Sequence, residues 1–250
     1  MLVRTIWDGS TVPSCGAGHA FSLIELLVVV AIIGTIASLA LPALGKARER
    51  ARATYCLSNM RQWSLASNMY ADDWNDYLAY EGQSGAVNGS LNSNAWFNLL
   101  TRYVQQPTLI RLYEQGRPPL PGRSSVFTCP TTPKPTYTPT ISNPFYMYGM
   151  NNRMDPNGAC LFRRQVMVYP SQTVIFSENN ESTFPNTNGQ YCPVRHLRGA
   201  NLALGDGSAR LFTEAEFRRT SAESNSSTNE WAQSRVVYWY PYNGAPNDCP

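Results

Sequence analysis

This sequence has few charged residues, few histidines and none of the common catalytic signatures. Asp, Glu, Lys and Arg make up 15% of its 250 residues, and two residues are histidine. It contains no G-x-S-x-G element, which carries the serine nucleophile of many hydrolases, and no glycine-rich phosphate-binding loop. Because candidate bases are few and no nucleophile motif is present, we expect no enzymatic activity and no catalytic residues.

The sequence also lacks the patterns that bind metals, cofactors or nucleic acids. No two cysteines form the C-x-x-C pair typical of zinc and redox sites. The acidic cluster of Asp72, Asp73 and Asp76 does not have the spacing of a calcium loop and is typical of a solvated helix end. The net charge is +3, and no basic stripe alternates with aromatic residues. We therefore expect no metal, no cofactor and no nucleic-acid partner.

The wide spacing of the cysteines favours disulfide bonds. Disulfides persist in oxidising compartments, so they point to a location such as the bacterial periplasm. The alternative is that each cysteine is a small buried apolar residue. The six cysteines are Cys15, Cys56, Cys129, Cys160, Cys192 and Cys249.

One apolar segment of membrane length is present, at residues 21–44. As an α-helix it would extend about 36 Å, enough to cross a hydrocarbon core of about 30 Å. It is longer than the apolar region of a secretory signal peptide, and a helix that is apolar all round rarely fits inside a small domain. Its one charged residue is Glu25, and a carboxylate deep in lipid costs roughly 2.5 to 3.5 kcal/mol. Glu25 therefore needs a partner.

A second helical pattern follows directly, at residues 45–73. From Cys56 to Tyr70, residues of one stripe recur at alternating intervals of four and three, with charged residues outside that stripe. The pattern predicts an amphipathic helix that continues the membrane helix. Pro42 is expected to kink the combined helix, because proline removes one backbone hydrogen bond and clashes with the preceding turn.

The remaining residues, 74–250, predict one globular α+β domain. A Pro-rich stretch at 117–144 is expected to form an exposed loop, since proline lacks an amide donor. Asp206 and Gly207 are expected to form a two-residue hairpin turn. The expected fold is a long N-terminal α-helix packed on a C-terminal antiparallel β-sheet domain. Five runs rich in β-branched and aromatic residues predict strands: QVMVY, TVIFSE, ANLALG, SARLF and RVVYWY.

His196 is the one histidine that follows the apolar segment. A catalytic interpretation would use Asp206 to orient it, but no nucleophile lies nearby in sequence. We favour a structural role, in which the His196 ring hydrogen-bonds a neighbouring loop and fixes the hairpin against the sheet.

The stretch AFSLIELLVVVAIIGTIASLALPAL resembles the processing and assembly segment of type IV pilins and of the pseudopilins of type II secretion systems, in which a short leader precedes F-[ST]-L-[IV]-E-L. The resemblance implies a leader at residues 1–20, cleavage between Ala20 and Phe21 by a prepilin peptidase, and N-methylation of Phe21. This chain departs from the family at Ala20, where glycine is usual. In the family, the glutamate that matches Glu25 is thought to pair with the new amine of a neighbouring subunit.

The C-terminal stretch RHLRGANLALGDGS resembles a subgroup of prepilin-like proteins, best represented in planctomycete-type bacteria. Its mark is a histidine, nine residues, then Asp-Gly, which His196, Asp206 and Gly207 match. The resemblance covers most of the chain, because it extends to four further stretches: CLSNMRQWSLASNMYADDWNDY, FTCP at 127–130, YMYGMNNRM at 146–154 and PSQTVIFSEN at 170–179. It implies a pilin-like fold.

The function implied by this resemblance is that of a structural subunit of a type II secretion or type IV pilus-like filament. The implied partners are other pilin-like subunits, the prepilin peptidase, the inner-membrane assembly machinery and the membrane. The subunit would cross the inner membrane once, with its globular domain in the periplasm, and then enter a filament in the periplasm or at the cell surface. The alternative is a membrane-anchored periplasmic module that binds a glycan or a secreted protein.

Two further observations bear on this expectation. Four basic residues follow the apolar segment: Lys46, Arg48, Arg50 and Arg52. Positively charged segments next to a membrane helix favour the cytoplasmic side, so these residues would place the globular domain in the cytoplasm. Loss of the leader would remove Cys15 and leave an odd number of cysteines, so at least one is unpaired or pairs between chains. The pairing we favour is Cys56 with Cys129 and Cys160 with Cys192, which leaves Cys249 unpaired.

Overall fold

A computed structural model of the chain describes residues 22–83, 91–154 and 162–246. The chain divides into two compact units, Met1–Lys46 and Ala47–Pro250. Several predictions fall on residues outside the described ranges: the leader 1–20, the cleavage site at Ala20 and Phe21, and the cysteines Cys15, Cys160 and Cys249.

A single helix, α1 (Leu23–Asp73), joins the two predicted helical segments. In the first unit its large apolar side chains, from Leu23 to Leu44, are exposed. Its most apolar 18-residue window has a mean hydropathy of 2.5, and none of that window is buried. Pro42 lies inside the helix, which continues through it. This segment is long and apolar enough to cross a membrane, as a membrane anchor or a signal sequence would.

In the second unit, α1 buries one face from Ala53 onward. Trp63 lies at the centre of this face and is fully buried. Its ring packs edge-on against Trp96, with 5.0 Å between ring centroids, and lies 5.1 Å from the ring of Phe127. Its Nε1–H donates a hydrogen bond of 3.0 Å to the carbonyl of Val126, so the one polar atom of the ring is satisfied. The amphipathic stripe predicted from the sequence is the packing face of the helix.

The globular unit is built on one five-stranded sheet with the order β3-β1-β2-β4-β5. All neighbouring strands are antiparallel except β3, which runs parallel to β1. This confirms the predicted α+β fold with a long helix packed on a sheet, but the sheet is mixed rather than purely antiparallel. The strands are β1 (Tyr146–Asn151), β2 (Val174–Ser182), β3 (Asn186–Thr187), β4 (Gly199–Leu204) and β5 (Ala209–Thr213). The short helices are α2 (Trp96–Leu99), α3 (Leu109–Glu114), α4 (Glu214–Phe217), α5 (Ser221–Ser224) and α6 (Ser227–Glu230).

Two predicted strands are wrong. The run QVMVY begins in a 3-10 turn, Arg164–Val166. The run RVVYWY forms only an isolated bridge between Tyr238 and Thr173. The amides of Trp239 and Tyr240 donate instead to the carboxylate of Glu230, at 2.9 and 2.8 Å, and so are not available to a strand ladder.

Strand β1 was not among the predicted strands. All six of its residues are buried. A strand buried on both faces shows no alternation of apolar and polar residues, so the usual strand pattern is missing.

The hairpin between β4 and β5 has a four-residue loop, residues 205–208, rather than the predicted two-residue turn. Leu204 N–H donates to the Ser208 carbonyl at 2.8 Å, and Gly207 N–H donates to the Leu204 carbonyl at 3.2 Å. The Asp206 carboxylate accepts from Ser208 N–H at 2.9 Å. Gly207 has a φ of +88°, the left-handed region in which glycine is favoured.

Replacement of Gly207 by valine should lower the free energy of unfolding by about 1 to 3 kcal/mol, because a β-branched residue is strained at positive φ. A Cβ atom at this position would also lie 3.1 Å from Cδ2 of Leu65 on α1. Gly207→Asn should cost less, since asparagine tolerates this conformation. Denaturant unfolding of the two variants checks this, and equal losses from valine and asparagine would show that φ is not the cause.

Candidate functional site

Four buried side chains from four separate segments meet at one point of the globular unit. Cys56 comes from α1, Cys129 from the loop before β1, Glu178 from β2 and His196 from the turn before β4; each is 0% exposed. The two Sγ atoms lie 2.6 Å apart, and both cysteines are free thiols. Nε2 of His196 lies 3.4 Å from Sγ of Cys129 and 2.8 Å from Oε1 of Glu178. The four side-chain donor atoms all lie within 4.8 Å of one another. We call this group the Cys-His-Glu cluster.

The loop that carries Cys129 is held against α1 by polar contacts. Asn59, one helical turn after Cys56, donates its side-chain amide to the carbonyl of Thr128 at 3.0 Å. The hydroxyl of Tyr148 donates to the same carbonyl at 2.9 Å. Because Asn59 and Cys56 lie on the same face of the helix, these bonds place Cys129 opposite Cys56.

The turn that carries His196 is tight. His196 N–H and Gly199 N–H each donate to the carbonyl of the other residue, at 3.0 and 2.6 Å. Leu197 and Arg198 between them have φ values of +46° and +67°. A Cβ atom on Gly199 would lie 2.1 Å from the carbonyl oxygen of Phe212 on β5, so only glycine fits there. The glycine after the histidine therefore lets β5 approach and fixes where the His196 ring lies.

The protonation states in the Cys-His-Glu cluster depend on one another. The hydrogen bond from Cys56 outweighs burial and lowers the pKa of Cys129 to about 3, while the same contact raises the pKa of Cys56. Burial disfavours a charged His196, but hydrogen bonds to Cys129 and Glu178 outweigh it and raise the pKa of His196 to about 9. Burial raises the pKa of Glu178, and the hydrogen bond from His196 opposes that rise. The cluster thus holds dissociable protons away from water.

The structure does not bring His196 and Asp206 together. Strand β4 separates them, and its six residues extend about 20 Å. The carboxylate that faces His196 belongs to Glu178, which the sequence analysis did not single out. The sequence did contain one signal for Glu178, which is the acidic residue of the predicted strand TVIFSE. A charge in a buried strand requires a partner.

The other predicted site residues lie apart from the cluster. Cys192 is buried in a second apolar core that also contains Trp239, and its predicted partner Cys160 is outside the described ranges. Pro42 and Glu25 lie on α1 in the first unit. Oε2 of Glu25 accepts a hydrogen bond of 2.9 Å from Ser22 N–H. Glu25 therefore provides a hydrogen-bond acceptor for one of the backbone amides that have no partner within the helix at its N-terminal end.

Comparison with known proteins gives one family match. No curated protein and no solved structure matches the chain. Residues 45–160, which include Cys56 and Cys129, match the sequence model of a family described as a protein of unknown function, DUF1559.

Proposed function

We propose that this chain is a membrane-anchored, pilin-like subunit of a filament of the type II secretion or type IV pilus class. The observation that carries the proposal is that the two parts of α1 have different surroundings. The first part of this helix presents exposed apolar side chains, and the part from Ala53 onward packs into the globular unit. A helix of this kind can sit in lipid before assembly and pack against copies of itself afterwards, while the domain stays folded throughout.

The position of Glu25 supports the same proposal. It is the one acidic residue in the first turn of α1, and its neighbours are exposed apolar residues. In the described chain its contact is the amide of Ser22. A cleaved neighbour that begins at Phe21 would offer a charged amine as a stronger partner.

Processing of the N-terminus is the first test of this proposal. We expect a mature chain of 230 residues, the 250 residues less the leader of 20, beginning with N-methylated Phe21. Mass spectrometry of the N-terminal peptide from the membrane fraction measures this directly. Ala20→Gly restores the residue usual in the family and should give the same mature end. Functional protein that retains Met1 would contradict the proposal.

A second candidate function, glycan binding by the anchored domain, is favoured by one cavity. It has a volume of about 420 Å³ and lies beside β3. Six of its lining residues are Asn or Gln, and two, Phe184 and Tyr191, are aromatic and more than half exposed. The amide groups can donate hydrogen bonds to the hydroxyl groups of a sugar and accept hydrogen bonds from them. The aromatic faces can pack on the apolar face of a sugar ring. The residues that line the cavity carry no charge. A neutral sugar is the ligand that this lining fits.

Tyr191→Ala should weaken binding of a neutral sugar at least tenfold, or about 1.4 kcal/mol, by removing aromatic contact area. Saturation-transfer NMR can measure this on the full chain in a detergent that has no sugar headgroup, with glucose, galactose and N-acetylglucosamine as probes. Trp74→Ala is the control, since Trp74 is an exposed residue that follows the C-terminal end of α1 and does not line the cavity. The glycan candidate fails if none of these sugars binds, or if both variants lose binding equally.

A further inference from the structure

We propose that the Cys-His-Glu cluster is a closed binding site for a zinc-type divalent metal ion, with Cys56, Cys129, Glu178 and His196 as its four ligands. Thiolate, imidazole and carboxylate are each ligand types that Zn²⁺ binds in proteins, and a structural site surrounds the ion with four protein ligands. All four residues are 0% exposed, and their donor atoms lie within 4.8 Å of one another. The cluster leaves no position for a substrate, so the site is structural.

Three polar atoms converge on one ring nitrogen of His196. Its Nε2 lies 3.4 Å from Sγ of Cys129, 3.3 Å from Oγ1 of Thr131 and 2.8 Å from Oε1 of Glu178. One nitrogen carries at most one hydrogen and cannot satisfy three such neighbours. An ion among them would take the nitrogen lone pair, one carboxylate oxygen and the sulfur at once.

Glu178 shows a related deficiency. Its Oε2 is buried without a hydrogen-bond partner among the described residues. Its Oε1 accepts from Nδ2 of Asn201 at 3.1 Å, in addition to its contact with His196. A buried carboxylate with an unsatisfied oxygen is costly, and a cation removes that cost. Asn201 would then orient the carboxylate from outside the ligand shell, as neighbours of metal ligands commonly do.

Loading the site requires a small rearrangement and the release of protons. Two sulfur atoms bound to one tetrahedral zinc ion lie about 3.7 Å apart, so the sulfurs of Cys56 and Cys129 must separate by about 1 Å. A small rotation about χ1 of the two cysteines, within their rotamer wells, moves the sulfurs by this amount. Each cysteine enters as a thiolate, His196 enters as neutral imidazole and Glu178 as carboxylate, and the displaced protons go to solvent. No electron transfer is involved.

Such a site would fasten α1 to the folded domain. Cys56 lies on the helix, and its three co-ligands lie on the loop before β1, on β2 and on the turn before β4. His196 would then act as a metal ligand, which is a role that does not require contact with Asp206. This inference is independent of the proposed filament, since a metal-loaded domain can be assembled or not.

Metal analysis of the full chain, purified in detergent without chelator, tests the proposal. We expect one zinc per chain by elemental mass spectrometry, and an intact mass in which Cys56 and Cys129 keep their hydrogens once the metal is removed. After removal, added Co²⁺ should give the visible bands of a tetrahedral ion and a thiolate charge-transfer band. This measurement needs no variant and so does not depend on variant folding.

Variants then assign the ligands. Cys129→Ser and Glu178→Gln should each weaken zinc affinity by at least tenfold, whereas Cys192→Ser, a buried cysteine outside the cluster, should leave it unchanged. A wild-type chain that binds neither Zn²⁺ nor Co²⁺ would overturn the proposal. So would a Cys56–Cys129 disulfide that persists in the isolated chain, or unchanged zinc affinity in Cys129→Ser.

Discussion

Replacing Glu230 by alanine should lower the free energy of unfolding by about 3 to 5 kcal/mol, because it leaves a buried guanidinium without its counter-charge. Glu230 and Arg219 are both almost fully buried, and Nε of Arg219 lies 2.8 Å from Oε1 of Glu230. Burial lowers the pKa of Arg219 and raises the pKa of Glu230, and the attraction between the two charges opposes both shifts.

The same carboxylate also holds the C-terminal segment in place. It accepts hydrogen bonds from the amides of Trp239 and Tyr240. The guanidinium of Arg219 donates to the carbonyls of Arg218 and Val237. Removing Glu230 thus takes away the carboxylate that accepts from these two buried amides, in addition to the counter-charge.

Denaturant unfolding of Glu230→Ala beside Glu214→Ala gives the comparison. Glu214 also pairs with an arginine at 2.8 Å, but that pair with Arg218 is partly exposed. An exposed pair four residues apart on a helix contributes only about 0.3 to 0.5 kcal/mol. Losses of similar size in the two variants would mean that the buried pair does not organise the C-terminal segment.

Replacing Glu25 by alanine should leave membrane insertion and leader cleavage intact but reduce filament yield at least tenfold. Glu25 follows Phe21 by four residues, which would span about 6 Å along the axis if helical, so the carboxylate and a neighbour's amine could lie at the same depth. In a low dielectric an unpaired carboxylate is far more costly than a paired one. The substitution removes the pair but keeps the helix.

Glu49→Ala is the matched control for Glu25→Ala, since Glu49 is exposed on the same helix but lies beyond the apolar segment. Filament yield in sheared fractions, together with the fraction of cleaved chain, separates assembly from processing. Normal filament yield from Glu25→Ala would rule out the pairing. Failure of cleavage in that variant would place the role of Glu25 in processing instead.

Much of the fold was predictable from the sequence because its determinants are local. The apolar run and the stripe from Cys56 to Tyr70 predict α1, and the runs TVIFSE, ANLALG and SARLF correspond to β2, β4 and β5. The run RVVYWY has the composition of a strand, but its amides bind the Glu230 carboxylate. That contact joins residues nine and ten positions apart through an irregular segment, and the periodic patterns of helices and strands do not reveal it.

The Cys-His-Glu cluster was predictable only in part. The sequence analysis favoured a disulfide bond between Cys56 and Cys129; the structure places their sulfurs in contact, but both are free thiols. The arrival of His196 and Glu178 at the same point depends on the order of β2 and β4 in the sheet and on the turn that Gly199 permits. These are long-range relations that spacing along the chain does not contain.

We propose that this chain is built into filaments, and immunogold electron microscopy can detect it there. Cells that produce the full chain with an epitope tag after Lys134, an exposed residue of the loop 117–144, would be imaged, and their sheared filaments collected. We predict gold label along the filaments, and filament-derived chains that begin at Phe21. Label confined to the membrane, with no labelled filaments in cells that process the chain, would contradict the claim.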